Sequence, residues 1–230
     1  MKNNFTSAVI VAAGNSSRMG KNKIFLELLN TPVIAYTLKA FEESNLINEI
    51  IVVCKELDKD NIYNIIKKHN ISKFKCFALG GSSRQDSVFS GINKSDKNTS
   101  HYVIHDAARC LITPEEINKV ILDSFTHQAS TLGVPCKDTI KILDNNNFVV
   151  NTPNRNSLWA IQTPQVFEKN LYINAVNNAI NNKNNYTDDC QLIENLGVPV
   201  HIIQGNYTNF KLTTPDDIII FENILNVREK

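Results

Sequence analysis

The sequence predicts an α/β fold, in which a Rossmann-like, mostly parallel sheet carries helices on both faces and a β-hairpin arm protrudes from it. Short β-branched runs alternate with helical patterns along most of the chain, as in sheets covered by helices on both sides. The 230 residues are 42% hydrophobic, which is enough to bury a full core. The alternation breaks after Pro135. We therefore expect one domain over residues 1–230, with the arm at about 136–157.

Strands are predicted from short β-branched and apolar runs, and helices from apolar spacing and N-cap signals. Thr113-Pro114-Glu115-Glu116 is a capping box with proline at the first helical position, and Thr31-Pro32 and Thr214-Pro215 are predicted to cap helices as well. The asparagine-rich segment 177–185 is predicted to be a fraying helix end and a loop without function. The expected strands are 7–11, 50–54, 74–79, 102–104, 131–134 and 200–203; the expected helices are 31–41, 62–69, 85–92, 113–127, 189–196 and a closing helix after Thr214.

The arm is predicted from two strand-like segments, 139–143 and 148–150, that flank Asp144-Asn145-Asn146-Asn147. This arrangement is typical of a β-hairpin, although its turn contains no glycine. Because an isolated two-stranded ribbon is unstable in water, we expect the arm to pack on another surface. A second subunit is the natural candidate.

Charge and cysteine content exclude several classes of protein. The formal net charge is +1 and no block of lysine and arginine exceeds a pair, so neither a nucleic-acid footprint nor a membrane-surface patch is indicated. The start of the chain leads into a strand without a signal-peptide core, which favours the cytoplasm. An odd number of cysteines without Cys-x-x-Cys spacing favours free thiols. The histidines also lack metal-ligand spacing and are interpreted as structural or solvated: His69, His101, His105, His127 and His201.

The loop after the first strand has the composition of a polyphosphate-binding site. Gly14 and Gly20 can take positive φ, which allows backbone N–H groups to point into a common space. Arg18, Lys21 and Lys23 bring positive charge to that space, where cations can stabilise charge that develops during phosphoryl transfer. A flexible connection with solvated lysines is the alternative interpretation.

This loop fits neither of two common phosphate-binding templates. A P-loop has four residues between its glycines and a hydroxyl residue after its lysine, whereas here five residues intervene and Asn22 follows Lys21. A dinucleotide fingerprint needs glycine where this chain has Ser16. A dehydrogenase-like dinucleotide binder is therefore a weak alternative, while a catalytically silent nucleotide-binding module stays open.

Two further segments follow predicted strands, where ligands of such sheets bind. Gly80-Gly81-Ser82-Ser83-Arg84-Gln85-Asp86-Ser87 could bring backbone and hydroxyl groups to a base or ribose, or form only a capped turn. His105-Asp106-Ala107-Ala108-Arg109 offers a carboxylate that could hold Mg²⁺, although Asp106 could instead cap a turn. Later polar segments lie near the arm and towards the end of the chain, and a solvated surface is the better explanation of each of them taken alone: 138–141, Arg155, 162–165, 187–189 and 209–213.

Taken in order, these segments resemble the 2-C-methyl-D-erythritol 4-phosphate cytidylyltransferases, which join CTP to a sugar-alcohol phosphate. The resemblance covers nearly the whole chain. Ribitol-5-phosphate cytidylyltransferases are similar but tend to read Ala-Gly-Gly at the first loop and His-Asp-Ala-Val-Arg-Pro at the fourth strand. The methylerythritol family is favoured by Ala12-Ala13-Gly14, Ala108 and the paired Asp188-Asp189. The motifs are Ala12-Ala13-Gly14, Arg18-Met19-Gly20, Lys23, Gly80-Gly81, Arg84, Ser87-Val88, His105-Asp106-Ala107-Ala108-Arg109, Asp138-Thr139-Ile140-Lys141, Gln162-Thr163-Pro164-Gln165-Val166-Phe167, Thr187-Asp188-Asp189 and Asn209-Phe210-Lys211.

The resemblance implies a nucleotidyltransferase domain, a role for each motif, and a homodimer in which the arms cross to the partner. Phe25 favours Lys23 over Lys21 as the catalytic lysine, although Ser16, Asn22, Ile24 and Cys110 depart from frequent family residues. The cofactor implied is Mg²⁺ or another divalent cation. The implied catalytic residues are Arg18 and Lys23, and Asp106 would hold the metal. The implied CTP-binding residues are Ala12, Ala13, Gly14, Gly81, Ser87 and Asp106. The implied sugar-phosphate residues are Ala107, Arg109, Thr139, Arg155, Thr163, Thr187 and Lys211.

Overall fold

A computed structural model of the chain describes residues 4–14 and 22–228. Their strands and helices alternate, as the sequence predicts. The strands are Phe5–Val11 (β1), Glu27–Leu28 (β2), Thr31–Pro32 (β3), Glu49–Cys54 (β4), Phe74–Leu79 (β5), Thr99–Asp106 (β6), Ala129–Pro135 (β7), Ile142–Leu143 (β8), Val149–Asn151 (β9), Trp159–Glu168 (β10) and His201–Gln204 (β11). The α-helices are Val33–Glu43 (α1), Lys59–Lys68 (α2), Arg84–Ile92 (α3), Pro114–His127 (α4), Lys169–Asn181 (α5), Asp189–Glu194 (α6) and Asp216–Arg228 (α7).

A mostly parallel sheet forms the centre of the fold, in the order β11-β7-β10-β6-β1-β4-β5. The strand β10 runs antiparallel to β6 and β7, whereas the other neighbouring pairs are parallel. The carboxyl ends of β1, β5 and β6 therefore lie at one edge of the sheet. The loops that follow these strands carry most of the predicted nucleotide site.

Helices cover both faces of the sheet, so its central strands are apolar on both sides. One face packs against α1, α2 and α4 through side chains such as Phe41, Ile62 and Ile117. The other face packs against α3, α5 and α6 through side chains such as Val88 and Tyr172. Across the two described ranges, we find no helix with the length and apolarity needed to cross a lipid bilayer. The predicted α/β fold class is confirmed.

The largest departure from the prediction is β10 with the helix that follows it. The sequence analysis has no strand there, because Gln162, Thr163 and Gln165 interrupt the apolar pattern of a central strand. All three are buried, and each side chain makes at least one hydrogen bond within the protein: the Asn206 carbonyl, for example, accepts from the Gln162 side chain at 2.9 Å. Of α5, only the end at Asn181 was predicted.

One predicted helix cap is confirmed and another is wrong. The Thr113 side chain caps α4 and Glu116 completes the capping box, as predicted. The prediction for Thr31 is wrong, because Thr31 lies in β3 and Pro32 is itself the N-cap of α1, with no side-chain cap. At α7, the Asp217 carboxylate accepts from the N–H groups of Thr213 and Thr214, so it organises the start of that helix.

The predicted hairpin is present as β8 paired with β9 in antiparallel orientation. The Asp144 carboxylate accepts hydrogen bonds from the N–H groups of Asn146 and Phe148, and Asn147 takes positive φ at 66°. These contacts form the tight turn without glycine. The arm exposes apolar side chains along its length: Ile140, Ile142, Leu143, Phe148, Val149 and Val150.

Candidate functional site

A cavity of about 340 Å³ opens at the carboxyl edge of the sheet, where β1, β5 and β6 end. It brings together residues that the sequence places in four separate motifs. Among the residues that the structure describes, three cationic side chains, one carboxylate and several backbone segments meet there. The lining residues are Val11, Ala12, Ala13, Gly14, Lys23, Ile24, Gly81, Ser82, Ser83, Arg84, Ser87, Asp106, Ala108 and Lys211.

The first loop leaves β1 along the floor of the cavity. The N–H of Ala12 donates to the carbonyl of Val53 at 2.8 Å, which continues the sheet one residue further. Gly14 does not take the positive φ that the sequence analysis allowed for it, and a Cβ there would meet nothing within 4 Å. The glycine therefore keeps space open. The predicted residues Arg18, Gly20 and Lys21 lie outside the described residues.

The second loop packs against the first through a glycine contact. A Cβ on Gly80 would lie 2.4 Å from the Cβ of Ala13, so only glycine allows this approach. The Ser87 hydroxyl accepts from the Gly81 N–H at 3.0 Å and donates to the Ser83 carbonyl at 2.8 Å. Ser83 caps α3 in a capping box with Asp86. The segment is thus a capped turn and a wall of the cavity at once.

The carboxylate of Asp106 lies between two cations at the centre of the cavity. Its Oδ2 accepts from the Lys211 ammonium at 2.7 Å, and its Oδ1 is 3.5 Å from Arg84 Nε. Burial alone would raise the pKa of Asp106, but the positive charges of Arg84 and Lys211 lower it well below its usual value. The side chain is therefore an anion at neutral pH.

A second, buried carboxylate holds Arg84 from behind. Arg84 Nη1 donates to Asp189, whose other carboxylate oxygen accepts from the Tyr172 hydroxyl at 2.6 Å. Burial opposes the charge on Arg84, yet Asp189 and Asp106 together raise its pKa. Asp189 is 1% exposed, so this anchor is shielded from water. The guanidinium is fixed in position before any ligand arrives.

A hydrogen-bonded chain fixes the backbone at Asp106. The Thr163 hydroxyl accepts from the Asp106 N–H at 3.1 Å and lies 3.0 Å from Nδ1 of His105. The Nε2 of His105 lies 3.3 Å from the carbonyl of Arg109, which requires a proton on Nε2 and leaves Nδ1 as the acceptor. Burial lowers the pKa of His105 to about 3. The ring is neutral and structural, as expected from the sequence.

Two predicted sugar-phosphate residues lie behind the cavity rather than on its surface. Ala107 is fully buried, and its N–H and carbonyl already bond to Val11 and Thr37. Arg109 donates to the carbonyl of Asn209 at 2.9 Å, and burial lowers the pKa of its guanidinium. Its Nε is buried and has no hydrogen-bond partner among the described residues.

Of the other predicted site residues, Lys23 lines the cavity, whereas Thr187, Thr139 and Arg155 lie outside its lining. Lys23 lines the cavity and donates to the carbonyl of Leu212 at 3.2 Å, on the segment that carries Lys211. Thr187 is exposed, directly before the N-cap of α6. Thr139 and Arg155 lie on the arm, away from the cavity lining, and Arg155 donates to the carbonyl of Lys137 at 3.0 Å. Within one protomer the arm residues are therefore not part of the cavity.

Arg84 and Asp189 are site residues that the sequence analysis quoted in motifs but gave no role. The sequence did contain a signal for Arg84. This cation follows a predicted strand and Gly80-Gly81, so it is expected at the same edge of the sheet as the first loop. Asp189 had none, since 105 residues separate it from its partner Arg84.

An α/β sheet whose carboxyl edge gathers Lys23, Arg84 and Lys211 around one carboxylate can hold and neutralise a polyphosphate, as a nucleotidyltransferase must. The family model for 2-C-methyl-D-erythritol 4-phosphate cytidylyltransferase matches residues 6–227. The chain belongs to this family and is an enzyme of the cytidylyltransferase class.

Curated relatives with that name include a protein of Caldanaerobacter subterraneus subsp. tengcongensis, 44% identical over 222 residues, which are 95% of this chain and 98% of the relative. Another, from Clostridioides difficile, is 44% identical over 229 residues, covering 97% and 95% of the two chains. The fold also matches the crystal structure of 4-diphosphocytidyl-2C-methyl-D-erythritol synthase from Anaerococcus prevotii. That match has a TM-score of 0.87 and 32% identity and covers 97% and 96% of the chains.

Proposed function

We propose that this enzyme transfers the cytidylyl group of CTP to 2-C-methyl-D-erythritol 4-phosphate, giving 4-diphosphocytidyl-2-C-methyl-D-erythritol and pyrophosphate in isoprenoid precursor biosynthesis. The observation that carries the proposal is the convergence of Lys23, Arg84 and Lys211 on one cavity, where two polyanions can be held together. The family match and the names of the relatives support this reaction over the ribitol 5-phosphate alternative.

The nucleotide is assigned to the two glycine-containing loops. The backbone from Ala12 to Gly14 and that of Gly81 line the cavity and leave room for a base and ribose. Ser87 acts by holding the Gly81 N–H, so the loop has its shape before the nucleotide binds. Such pre-organisation reduces the entropy that binding must overcome.

In this reaction, an oxygen of the sugar phosphate attacks the α-phosphorus of CTP in line, and pyrophosphate leaves. The attacking phosphate is already an anion near neutral pH, so no general base is needed. His105 agrees with this, because its lowered pKa and two hydrogen bonds leave it no role in proton transfer. Lys23 and, outside the described residues, Arg18 are assigned to the triphosphate, where they would offset the charge that builds up at the α-phosphorus.

A divalent cation such as Mg²⁺ fits the donor set of the cavity. Mg²⁺ is commonly bound by one or two carboxylates together with substrate phosphates and water, and Asp106 supplies an ionised carboxylate there. Asp106 is the residue that would hold the cation. When bound, the cation would supply charge neutralisation at the triphosphate. Lys211 and Arg84 hold the carboxylate in place for it.

The sugar phosphate is assigned to the side of the cavity at Lys211, with Thr187 beyond the lining and the partner's arm completing the site. Ala107, Arg109 and Thr163 support that side from behind, since Arg109 donates to the carbonyl of Asn209 and Thr163 accepts from the Asp106 N–H. Thr139 and Arg155 would then act on the other subunit's site. The exposed apolar side chains of the arm support a homodimer, since burying them against a partner removes them from water.

Two aspartate substitutions test the dimer. Phe148 on the arm is 70% exposed, and Ile219 on α7 is 66% exposed, so the two sites are matched in exposure. Phe148→Asp is expected to give a monomer with little activity, whereas Ile219→Asp leaves mass and activity unchanged. Light scattering after size exclusion measures the mass. A dimeric, active Phe148→Asp protein would rule out the arm as the interface.

The cytoplasm is the proposed location. All five cysteines are free thiols, which supports a reducing compartment.

Pyrophosphate release tests the proposed reaction. The enzyme is assayed with Mg²⁺ and CTP alone, with CTP and 2-C-methyl-D-erythritol 4-phosphate, and with CTP and ribitol 5-phosphate. We expect release only with the methylerythritol substrate. Release only with ribitol 5-phosphate would establish the alternative acceptor. CTP binding without pyrophosphate release in any of the three assays would establish a silent nucleotide-binding module.

A further inference from the structure

A second cluster of metal-ligating side chains lies outside the catalytic cavity. Asp123 and His127 are one turn apart near the end of α4, and His201 begins β11. The ligand atoms of all three lie within 4.8 Å of one another. His201 Nδ1 is 2.8 Å from Asp123 Oδ2, and the two imidazole rings stack with centroids 4.1 Å apart. None of the three lines the cavity.

The fold fixes these side chains on rigid elements. Helix α4 ends at Gln128, which takes a left-handed conformation with φ of 64°, and the chain turns directly into β7. Since β11 pairs with β7 in a register that sets His201 opposite Ser130, the last turn of α4 and the first residue of β11 become neighbours. The Ser130 hydroxyl donates to Asp123 Oδ2 at 2.6 Å and orients the carboxylate. Oriented carboxylates of this kind are typical of metal sites.

The local electrostatics favour a cation. The carboxyl end of a helix carries partial negative charge from its unpaired carbonyls, and α4 points that end at the cluster. Asp123 adds a carboxylate that is shielded from most of the solvent, with a side chain 19% exposed. The imidazoles of His127 and His201 are 44% and 48% exposed, so an ion and its water ligands can reach them.

We propose that Asp123, His127 and His201 bind one divalent transition-metal ion of the zinc type, which clamps the edge strand β11 to α4. Two imidazole nitrogens and a carboxylate suit Zn²⁺, whereas Mg²⁺ prefers oxygen ligands in octahedral geometry. Tetrahedral Zn²⁺ separates its ligand atoms by about 3.3 Å. The 2.8 Å contact between His201 and Asp123 would therefore widen, and the 3.9 Å separation of His127 from Asp123 would close. The two exposed imidazole rings, which now stack, would also turn so that their in-plane lone pairs meet at the ion. The ligating nitrogen of each histidine must be free of its proton, so His201 would carry its proton on Nε2 when Nδ1 binds the metal.

Calorimetric titration with Zn²⁺ tests the site without any assay of activity. Excess Mg²⁺ is present to occupy oxygen-rich sites, and the protein carries Cys76→Ser and Cys136→Ser because these two thiols are not fully buried. We expect one Zn²⁺ per chain. His127→Gln and His201→Gln should each weaken binding by at least about tenfold, which is the smallest effect usually seen even for residues that only orient a ligand.

Two further measurements distinguish this site from adventitious zinc binding. His69→Gln removes a histidine on α2 that contributes nothing to the cluster, and it should leave the Zn²⁺ affinity unchanged. Zn²⁺ should also raise the melting temperature of the protein with the cluster intact, but not that of His201→Gln, because the ion binds only the native arrangement. The proposal would be overturned if His201→Gln bound Zn²⁺ as tightly as the protein with the cluster intact. It would also be overturned if no Zn²⁺ bound in the presence of excess Mg²⁺.

Discussion

Lys211 and Asp106 form an ion pair of 2.7 Å at the centre of the cavity, although 105 residues separate them in the chain. The last residue of β6 supplies the carboxylate, and the segment between β11 and α7 supplies the ammonium group. The pair joins the proposed metal ligand to a proposed sugar-phosphate ligand.

Lys211→Met is expected to lower kcat/KM for the sugar phosphate by about 10- to 100-fold, because it removes a donor from both Asp106 and the incoming phosphate. Lys211→Arg keeps the charge and should retain most of the activity. Steady-state kinetics at saturating CTP measure both variants. An unchanged kcat/KM in Lys211→Met would contradict the role of this lysine.

Lys23→Ala is expected to lower kcat by about 100-fold or more, by analogy with the loss of one donor to a transition-state oxyanion. Lys94→Ala is the matched control, because Lys94 is exposed and lies outside the cavity lining. Stopped-time assays of pyrophosphate release compare the two proteins. A turnover number for Lys23→Ala close to that of the wild type would refute the catalytic assignment.

Arg155→Ala is expected to raise KM for the sugar phosphate by about tenfold or more while KM for CTP stays unchanged, because a charge-assisted hydrogen bond to phosphate is lost. Lys141→Ala is a control on the same arm, where Lys141 bonds only to Thr152 among the described partners. If KM for CTP rose instead, Arg155 would belong to the nucleotide.

His105 gives the protein a specific pH dependence of stability. Its pKa in the folded protein is lowered to about 3, below the unfolded value of about 6.5, so the unfolded state binds the extra proton between these two values. Stability therefore falls as pH drops from about 6.5 towards 3. Between pH 7 and pH 5 this residue should cost about 2 kcal/mol of the free energy of unfolding.

Urea unfolding of the wild type and of His105→Asn at pH 7 and pH 5 measures this contribution. The difference between the two pH values should be about 2 kcal/mol smaller in the variant. Asp106 does not interfere, because its pKa is lowered and its contribution is lost only below the usual carboxyl range of about pH 4. Equal pH dependence in both proteins would show that His105 is not buried as a neutral ring.

The strands β1, β4 and β5 could be predicted because each is a short apolar run with a clear period and a turn after it. Because ligands of such sheets bind at the carboxyl ends of the strands, the sequence alone predicts that Gly14, Gly81 and Asp106 lie together. The strand β10 could not be predicted in the same way. Its buried glutamines and threonine bond to groups far along the chain, such as Asn209, whose side chain donates to the Gln162 side chain and to the Thr163 carbonyl.

The ion-pair partners of the charged site residues also could not be predicted from the sequence. Propensity and spacing report only on neighbours along the chain, whereas Arg84 meets Asp189 through the packing of α3 against α6 on one face of the sheet. The same limit applies to His127 and His201, which spacing alone left as unrelated side chains and which the fold stacks against each other.

The anchoring of Arg84 by Asp189 also sets how strongly the resting cavity attracts anions. Within residues 4–14 and 22–228, the three cations Lys23, Arg84 and Lys211 face the two carboxylates Asp106 and Asp189, which leaves an excess of one positive charge. The two carboxylates therefore offset most of the attraction that these three cations exert on an anion at long range. The long-range capture of a nucleotide then depends on the first loop, where the sequence adds the positive charges of Arg18 and Lys21.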